Sequence, residues 1–335
     1  MRAYVLRPPL TGPEALHLIE RPSPIAGPGE VVVRIAAVAL NNRDLQVARG
    51  AYGRLPPERI PCSDGAGEIL SVGSGVTDLR PGQRVIGCFM PAWIDGLLSS
   101  TKAATALGGA AEGVLAEEIV LPATGVVPTP DHLSDAEAAC LPCAGVTAWN
   151  ALFGAGASTR AGETVVVLGT GGVAAFAIQL ARAAGCRVVA VSRTPAKLAA
   201  ATALGAHHVI SGEDWDDQVY KLTAQQGADH LIELGGPGTL PRSIRAVRMG
   251  GRISLIGTIS GITGEIPTAN LLRKGICLQG VFVGSREHFL ALTRALALHD
   301  LHPRIDRTFA FAEAPSAYAH LASATHVGKV MIRVR

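Results

Sequence analysis

The chain has 335 residues, 48% apolar and 17% charged, which is enough for two buried cores and too much for one ordinary one. A formal net charge of +3 with no lysine or arginine block gives no sign of a nucleic-acid partner. No apolar run reaches about 18 residues, so no membrane association is expected, and Met1-Arg2-Ala3-Tyr4-Val5-Leu6-Arg7, soon interrupted by Pro8-Pro9, is too short for a secretory signal, so cytoplasmic residence is the expectation.

The first 125 residues or so carry short β-branched runs cut by glycine and proline. Val31 to Ile35, Gly67 to Val72 and Arg84 to Gly87 read as strands, joined by turns such as Pro28-Gly29 and Pro81-Gly82. Phe89 to Gly113 has no clear period and reads as an irregular lobe. Cys140 and Cys143 form a C-x-x-C inside an apolar stretch, which suits buried thiols better than a metal or redox pair. The six cysteines are scattered and fit reduced thiols.

From about residue 163 strands and helices alternate. Strands are predicted over 164–168, 187–191, 207–210, 229–233, 252–256 and 276–283. Helices are predicted over 173–184, 195–204, 215–224, 240–247, 269–273 and 287–298. Uninterrupted apolar strands alternating with helices signal a parallel sheet covered on both faces. The tail from Gly328 to Val334 is a last strand, free to return to the first domain.

Gly169-Thr170-Gly171-Gly172-Val173-Ala174 follows the first of these strands and opens a helix. Gly169 permits the tight turn. Gly171 lets the backbone approach a pyrophosphate, and Ala174 allows close helix–strand packing. The helix starting near Gly172 and Val173 offers unpaired N–H groups to phosphate. In this strand–turn–helix setting the pattern predicts a dinucleotide site. An acid about 20 residues further on would hold the ribose of NAD. None is present: Ser192 and Arg193 stand there, with Lys197 one helical turn on. A hydroxyl and two cations suit the 2′-phosphate of NADP. NAD remains the alternative, with Arg193 and Lys197 then being ordinary solvated charges.

The ordered motifs Leu40-Asn41-Asn42-Arg43-Asp44, Pro61-Cys62-Ser63-Asp64-Gly65-Ala66-Gly67-Glu68, Pro81-Gly82-Gln83-Arg84-Val85, Ala144-Gly145-Val146-Thr147-Ala148-Trp149, the glycine turn, Gly250-Gly251-Arg252 and Gly328-Lys329 span nearly the whole chain. Together they resemble the medium-chain dehydrogenase/reductase superfamily, in its zinc-independent, quinone oxidoreductase-like branch. The resemblance implies an α/β protein. Its catalytic domain would be a distorted, GroES-like β-barrel (1–125 and 285–335). Its cofactor domain would be a doubly wound, parallel-sheet Rossmann domain (126–284). It also implies cofactor contacts from Thr147 near the nicotinamide, from Gly257 and Thr258, and from the backbone of Phe282 and Val283. A homodimer formed through the edge strand 277–283 is implied as well, and its apolar Val281-Phe282-Val283 would be a poor solvent-exposed edge.

Zinc-dependent members of that superfamily hold a catalytic zinc with two cysteines and a histidine. The matching positions here are Asn41, Ser63 and Cys143, which do not supply three zinc-type ligands. The expectation is therefore no metal. Without a Lewis acid, the acceptor must spread the incoming charge itself, as a quinone or conjugated alkene or carbonyl does. Asn41 and Tyr52 are the expected donors to the substrate oxygen. The alternatives are an NAD(P)-dependent alcohol or aldehyde dehydrogenase working without the usual zinc, and a cofactor-binding structural or regulatory protein with little turnover.

Overall fold

The computed structural model describes residues 1–53, 56, 58–154, 156 and 158–335. The chain forms two compact units, one of Met1–Val146 with Gly284–Arg335, the other of Thr147–Val283. The change of texture near residue 125 groups 126–146 with the cofactor domain. These residues belong to the first unit.

The first unit begins with β1 (Arg2–Leu6) and β2 (Leu16–Glu20), an antiparallel pair. Then come β3 (Glu30–Leu40), β4 (Asp64–Val72), β5 (Arg84–Gly87), β6 (Glu118–Pro122) and β7 (Val126–Pro128). β3 pairs antiparallel with both β4 and β6, and β5 pairs with β4 and β7. The last pairing ties the segment after residue 125 to the first unit. Val31, Val33, Ile35 and Val38 of β3 are buried in one core with Val5, Ile69, Val85 and Leu121. β-branched side chains suit such a pleated, enclosed surface. The irregular lobe contains one short helix, Ser100–Ala103, and is held by local bonds. Lys102 Nζ donates to the carbonyls of Asp95 and Leu97 at 2.7 and 2.8 Å.

The second unit contains β8 (Thr164–Leu168), β9 (Arg187–Val191), β10 (His208–Ile210), β11 (Ala228–Glu233), β12 (Val247–Leu255) and β13 (Cys277–Gly280). They form one parallel sheet in the order β10-β9-β8-β11-β12-β13. The chain order reverses between β8 and β11, and the carboxyl ends of strands at such a switch point are where α/β sheets bind ligands. β8 is buried along its whole length, as its uninterrupted Thr-Val-Val-Val-Leu demands. Two boundaries differ from those the sequence predicts. The strand expected over 252–256 starts at Val247, with a register shift and Gly250 at φ +65°. The strand expected to reach residue 283 stops at Gly280, and Val283 takes φ +58°, outside any strand conformation.

The chain returns to the first unit with β14 (Ile305–Ala310) and β15 (Lys329–Arg333). β15 lies parallel to β14 and antiparallel to β3, with Val330 opposite Leu40. This register brings Lys329 beside Asn41, the residue that follows β3. Because Ala39 is opposite Asp64, the first residue of β4 lies at the same end.

Candidate active site

The glycine turn leaves β8 with Gly169 at φ +84°, a conformation that side chains other than glycine rarely adopt. Its N–H donates to Val191 O at 2.7 Å. Gly171 caps the helix Gly172–Ala183, and a Cβ built on it meets no heavy atom within 4 Å. The space above the turn is therefore open to a ligand. The first intrahelical bond runs from Ala175 N to Gly171 O, so the N–H groups of Gly172, Val173 and Ala174 precede the helical ladder and point out of its positive end. Ala174 is fully buried, which is the close packing expected of it. This cradle fits a pyrophosphate.

At the end of β9, Ser192 is 8% exposed and its N–H bonds to Ile210 O, while its Oγ accepts from Thr194 N at 3.3 Å. Arg193 is exposed, and Lys197 lies in the first turn of the helix Pro195–Ala203. The end of β9 thus carries a hydroxyl with an exposed cation beside it, and a second cation follows in the next helix.

The remaining expected cofactor residues occupy this same unit. Thr147 is buried on the helix Val146–Phe153. Gly257 and Thr258 follow β12, with Gly257 N donating to Glu233 O at 3.2 Å. Phe282 is 43% exposed, and Val283 is buried beside it. The sequence reading missed two residues that shape this region. Glu233, at the end of β11, is fully buried. It accepts from Gly235 N, Gly236 N and Thr239 Oγ1, and also from Ser243 Oγ, which sets the turn after the strand. Asn150 donates from Nδ2 to Val283 O at 2.7 Å. An acid ending a buried strand just before Gly235-Gly236 was the available signal for the first. Nothing local marks the second.

In the first unit, the ends of β15, β3 and β4 gather a polar cluster. Lys329 is 3% exposed; its Nζ donates to Asn41 Oδ1 at 2.5 Å and lies 3.5 Å from Asp64 Oδ2. Asp64 accepts from Ser63 Oγ at 2.6 Å and from Cys143 N at 3.2 Å. Asn41 starts the helix Asn42–Ala48, yet its side chain does not cap it. Instead Asp44 Oδ2 accepts from the Asn41 N–H at 2.8 Å, and the Asn41 amide turns to Lys329. Asn41 Nδ2 is shielded from water with no partner among the described residues. An unmade buried donor of this kind costs about 1–3 kcal/mol and marks a place kept for an acceptor. Lys329 escaped the sequence reading as a site residue; its signal was a single lysine opening an apolar strand.

Asp44 is fully buried, and burial pushes its carboxyl up to about 6, against the pull of Arg43, whose Nη1 lies 4.0 Å from Asp44 Oδ1. The Arg43 guanidinium is stacked between Tyr52 and Phe89, 5.0 and 4.6 Å from the ring centroids, and donates to Leu107 O at 2.6 Å. Tyr52 is therefore half-buried against Arg43 and the first core. It is not in the hydrogen-bonded cluster around Asn41.

A catalytic zinc would need the three positions Asn41, Ser63 and Cys143. An amide and a hydroxyl occupy two of them, and an ammonium stands against the neighbouring carboxylate, so that Cys143 is the one zinc-type side chain of the three. Among the described residues no group of three His, Cys, Asp or Glu side chains is placed to hold a metal. The residues present do not fit the ion. Cys140 is also buried, its thiol pushed up to about 12, and its Sγ lies 3.5 Å from the Met331 sulfur. It forms no disulfide with Cys143.

Known proteins match both halves of the chain. The family described as alcohol dehydrogenase GroES-like domain matches residues 27–131, and that described as zinc-binding dehydrogenase matches residues 172–297. A zinc-type alcohol dehydrogenase-like protein of Schizosaccharomyces pombe is 38% identical over 343 residues, covering 99% of each chain. An acryloyl-coenzyme A reductase of Metallosphaera sedula is 29% identical, again over 99% of each. A solved NAD-dependent alcohol dehydrogenase superposes with a TM-score of 0.91 at 32% identity, covering 100% of both chains. With a GroES-like first half, a Rossmann-like second half and such relatives along its whole length, the chain belongs to the medium-chain dehydrogenase/reductase superfamily of NAD(P)-dependent oxidoreductases.

Proposed function

We propose that this protein reduces a quinone or a conjugated alkene or carbonyl with NADPH and without zinc. The observation that carries the reading is the Asn41 amide, set where zinc-dependent relatives place a metal ligand, with an Nδ2 that has no partner among the described residues and a lysine ammonium on its Oδ1. NADPH, when bound, supplies the hydride. An acceptor with a conjugated oxygen collects the resulting charge on that oxygen, and the Asn41 N–H group stabilises it as a neutral donor does in an oxyanion hole. Tyr52, stacked on Arg43, is the second candidate donor. A simple alcohol would require stabilisation of a developing alkoxide, for which this cluster offers no Lewis acid.

On the cofactor side, Gly169, Gly171, Gly172 and Val173 hold the pyrophosphate. Ser192, Arg193 and Lys197 receive the 2′-phosphate. Thr147, Gly257, Thr258, Phe282 and Val283 flank the nicotinamide. The absence of an acid at the end of β9 supports NADP over NAD. The relative named acryloyl-coenzyme A reductase acts, by its name, on a conjugated alkene, which supports this substrate class. The solved NAD-dependent alcohol dehydrogenase favours a second reading, alcohol or aldehyde oxidation. NADPH consumption measured against a panel of quinones and enones, beside alcohol-dependent reduction of NADP, separates the two. Turnover of alcohols alone overturns the proposal.

A homodimer is proposed through the free side of β13, the edge of the parallel sheet, next to the exposed Phe282. Sedimentation of a single monomeric species at micromolar concentration would overturn it. Cytoplasmic residence is proposed from six cysteines that form no disulfide, four of them buried among the cores.

A further inference from the structure

Lys329 has no role in the reading above beyond its contact with Asn41. Four facts constrain it. Its ammonium is almost wholly removed from water, and a buried ammonium persists only when paired and hydrogen-bonded. Its charge partner, Asp64, is itself buried. The carboxylate is further occupied by Ser63 Oγ and Cys143 N, so its geometry is fixed. The other cation nearby, Arg43, is stacked between two rings and bonded to Leu107 O. Finally, the Asn41 amide has an acceptor end and a donor end, and only its oxygen can meet an ammonium, which has no lone pair.

We propose that Lys329 is a positioning residue for Asn41. Its ammonium, anchored by Asp64, clamps Asn41 Oδ1 and so leaves Nδ2 as the free donor for the acceptor oxygen of the substrate. The fixed positive charge acts through the amide and does not bind substrate. Hydrogen bonding to Oδ1 also draws electron density from the amide nitrogen, which makes the N–H a stronger donor. The proposal rests on the reading of Asn41 as the substrate donor, so its test includes a readout that needs no substrate.

The chain has four asparagines, Asn41, Asn42, Asn150 and Asn270, so asparagine-selective nitrogen-15 labelling resolves their side-chain amides, and Asn41→Asp assigns the Asn41 signal by its loss. Lys329→Met is the direct variant. Lys329→Met with Asp64→Ser removes both charges of the pair without adding an asparagine, so that no unpaired carboxylate unfolds the protein. In the double variant the Asn41 amide resonances are expected to shift while those of Asn42, Asn150 and Asn270 stay in place. An unmoved Asn41 signal overturns the proposal whatever the substrate proves to be. With an accepted enone, kcat is expected to fall about tenfold in Lys329→Met at unchanged NADPH Kd, with partial recovery in Lys329→Arg. Adding Lys329→Met to Asn41→Ala is expected to cost no more than Asn41→Ala alone, because the lysine acts through that amide. Additive losses overturn the positioning role. If wild type turns over no quinone or enone, the functional reading fails, and the amide resonances still decide the role of Lys329.

Discussion

Asn150 Nδ2 donates to Val283 O at 2.7 Å and holds a β-branched residue at φ +58°. A residue of this type in the left-handed region costs of order 1–3 kcal/mol and persists only where its surroundings over-determine it. The bond thus fixes the backbone direction of Phe282 and Val283, the pair proposed to face the nicotinamide carboxamide. Asn150→Ala is expected to release that turn and raise the NADPH Kd by about fivefold, or about 1 kcal/mol. Fluorescence titration of NADPH checks it; an unchanged Kd removes the pair from the cofactor site.

Arg193 stands exposed beside the second strand of the parallel sheet, where no acid waits for a ribose. Arg193→Ala is expected to weaken NADP by about tenfold or more and to leave NAD within about twofold, since a guanidinium recognises a phosphate bidentately. Calorimetric titration of both nucleotides checks it. Equal losses for the two would mean that Arg193 does not read the 2′-phosphate.

Asn41 and Tyr52 make different demands on a test. Asn41→Ala removes the free Nδ2 donor and is expected to lower kcat about 10- to 100-fold with a reactive enone. Tyr52→Phe keeps the ring on Arg43 and removes only the hydroxyl. A fall of about tenfold in that variant would identify the hydroxyl as a donor. Full activity would leave Tyr52 a packing role.

His230 is buried between Thr159 and Ser254, with its Nδ1 and Nε2 each 2.9 Å from a hydroxyl oxygen. Ser254 Oγ donates to Ala151 O, so His230 Nε2 carries the proton and Nδ1 accepts from Thr159. Burial, followed by the nearby Arg252 charge, pushes the ring down to about 3 from its ordinary 6.5. A base depressed by folding contributes stability that is present above about 6.5 and is lost as pH falls toward 3. His230→Gln is expected to flatten that decline: relative to wild type it gains about 3 kcal/mol between pH 6.5 and pH 4. Urea unfolding at several pH values checks it, and parallel curves for the two proteins would contradict it.

Asp44 has the opposite sign. Its carboxyl is raised from 3.8 to about 6, chiefly by burial. The folded state therefore binds the proton more tightly than the unfolded chain, and stability from this group rises as pH falls from about 6 to about 4. At pH 7 the buried charge is a cost. Asp44→Asn, which keeps an oxygen for the Asn41 N–H, is expected to gain about 3 kcal/mol relative to wild type between pH 4 and pH 7. The same unfolding series checks it; a constant difference would show that Asp44 does not titrate in that window.

The sequence by itself determined the dinucleotide turn, the parallel sheet and the two-part organisation. Each rests on local patterns: an uninterrupted apolar strand from Thr164 to Leu168, Gly169 where a positive φ is needed, and a helix opening at Gly172. It also determined the lack of zinc-type side chains at Asn41 and Ser63, because that is a matter of residue identity. Where local pattern and tertiary demand conflict, the reading misplaced boundaries. Residues 126–146 follow the pairing of β7 with β5, and the last strand of the parallel sheet ends at Gly280 although apolar residues run on to Val283.

Only the tertiary structure decided what surrounds Asn41. Lys329 lies 288 residues away along the chain, and the antiparallel register of β15 on β3 carries it there. The register of β3 on β4 adds Asp64. A lysine followed by Val-Met-Ile looks like the start of any surface strand. Its burial, its carboxylate and its amide partner come from segments whose separation no local periodicity encodes, and contact between them exists only once the sheet has formed.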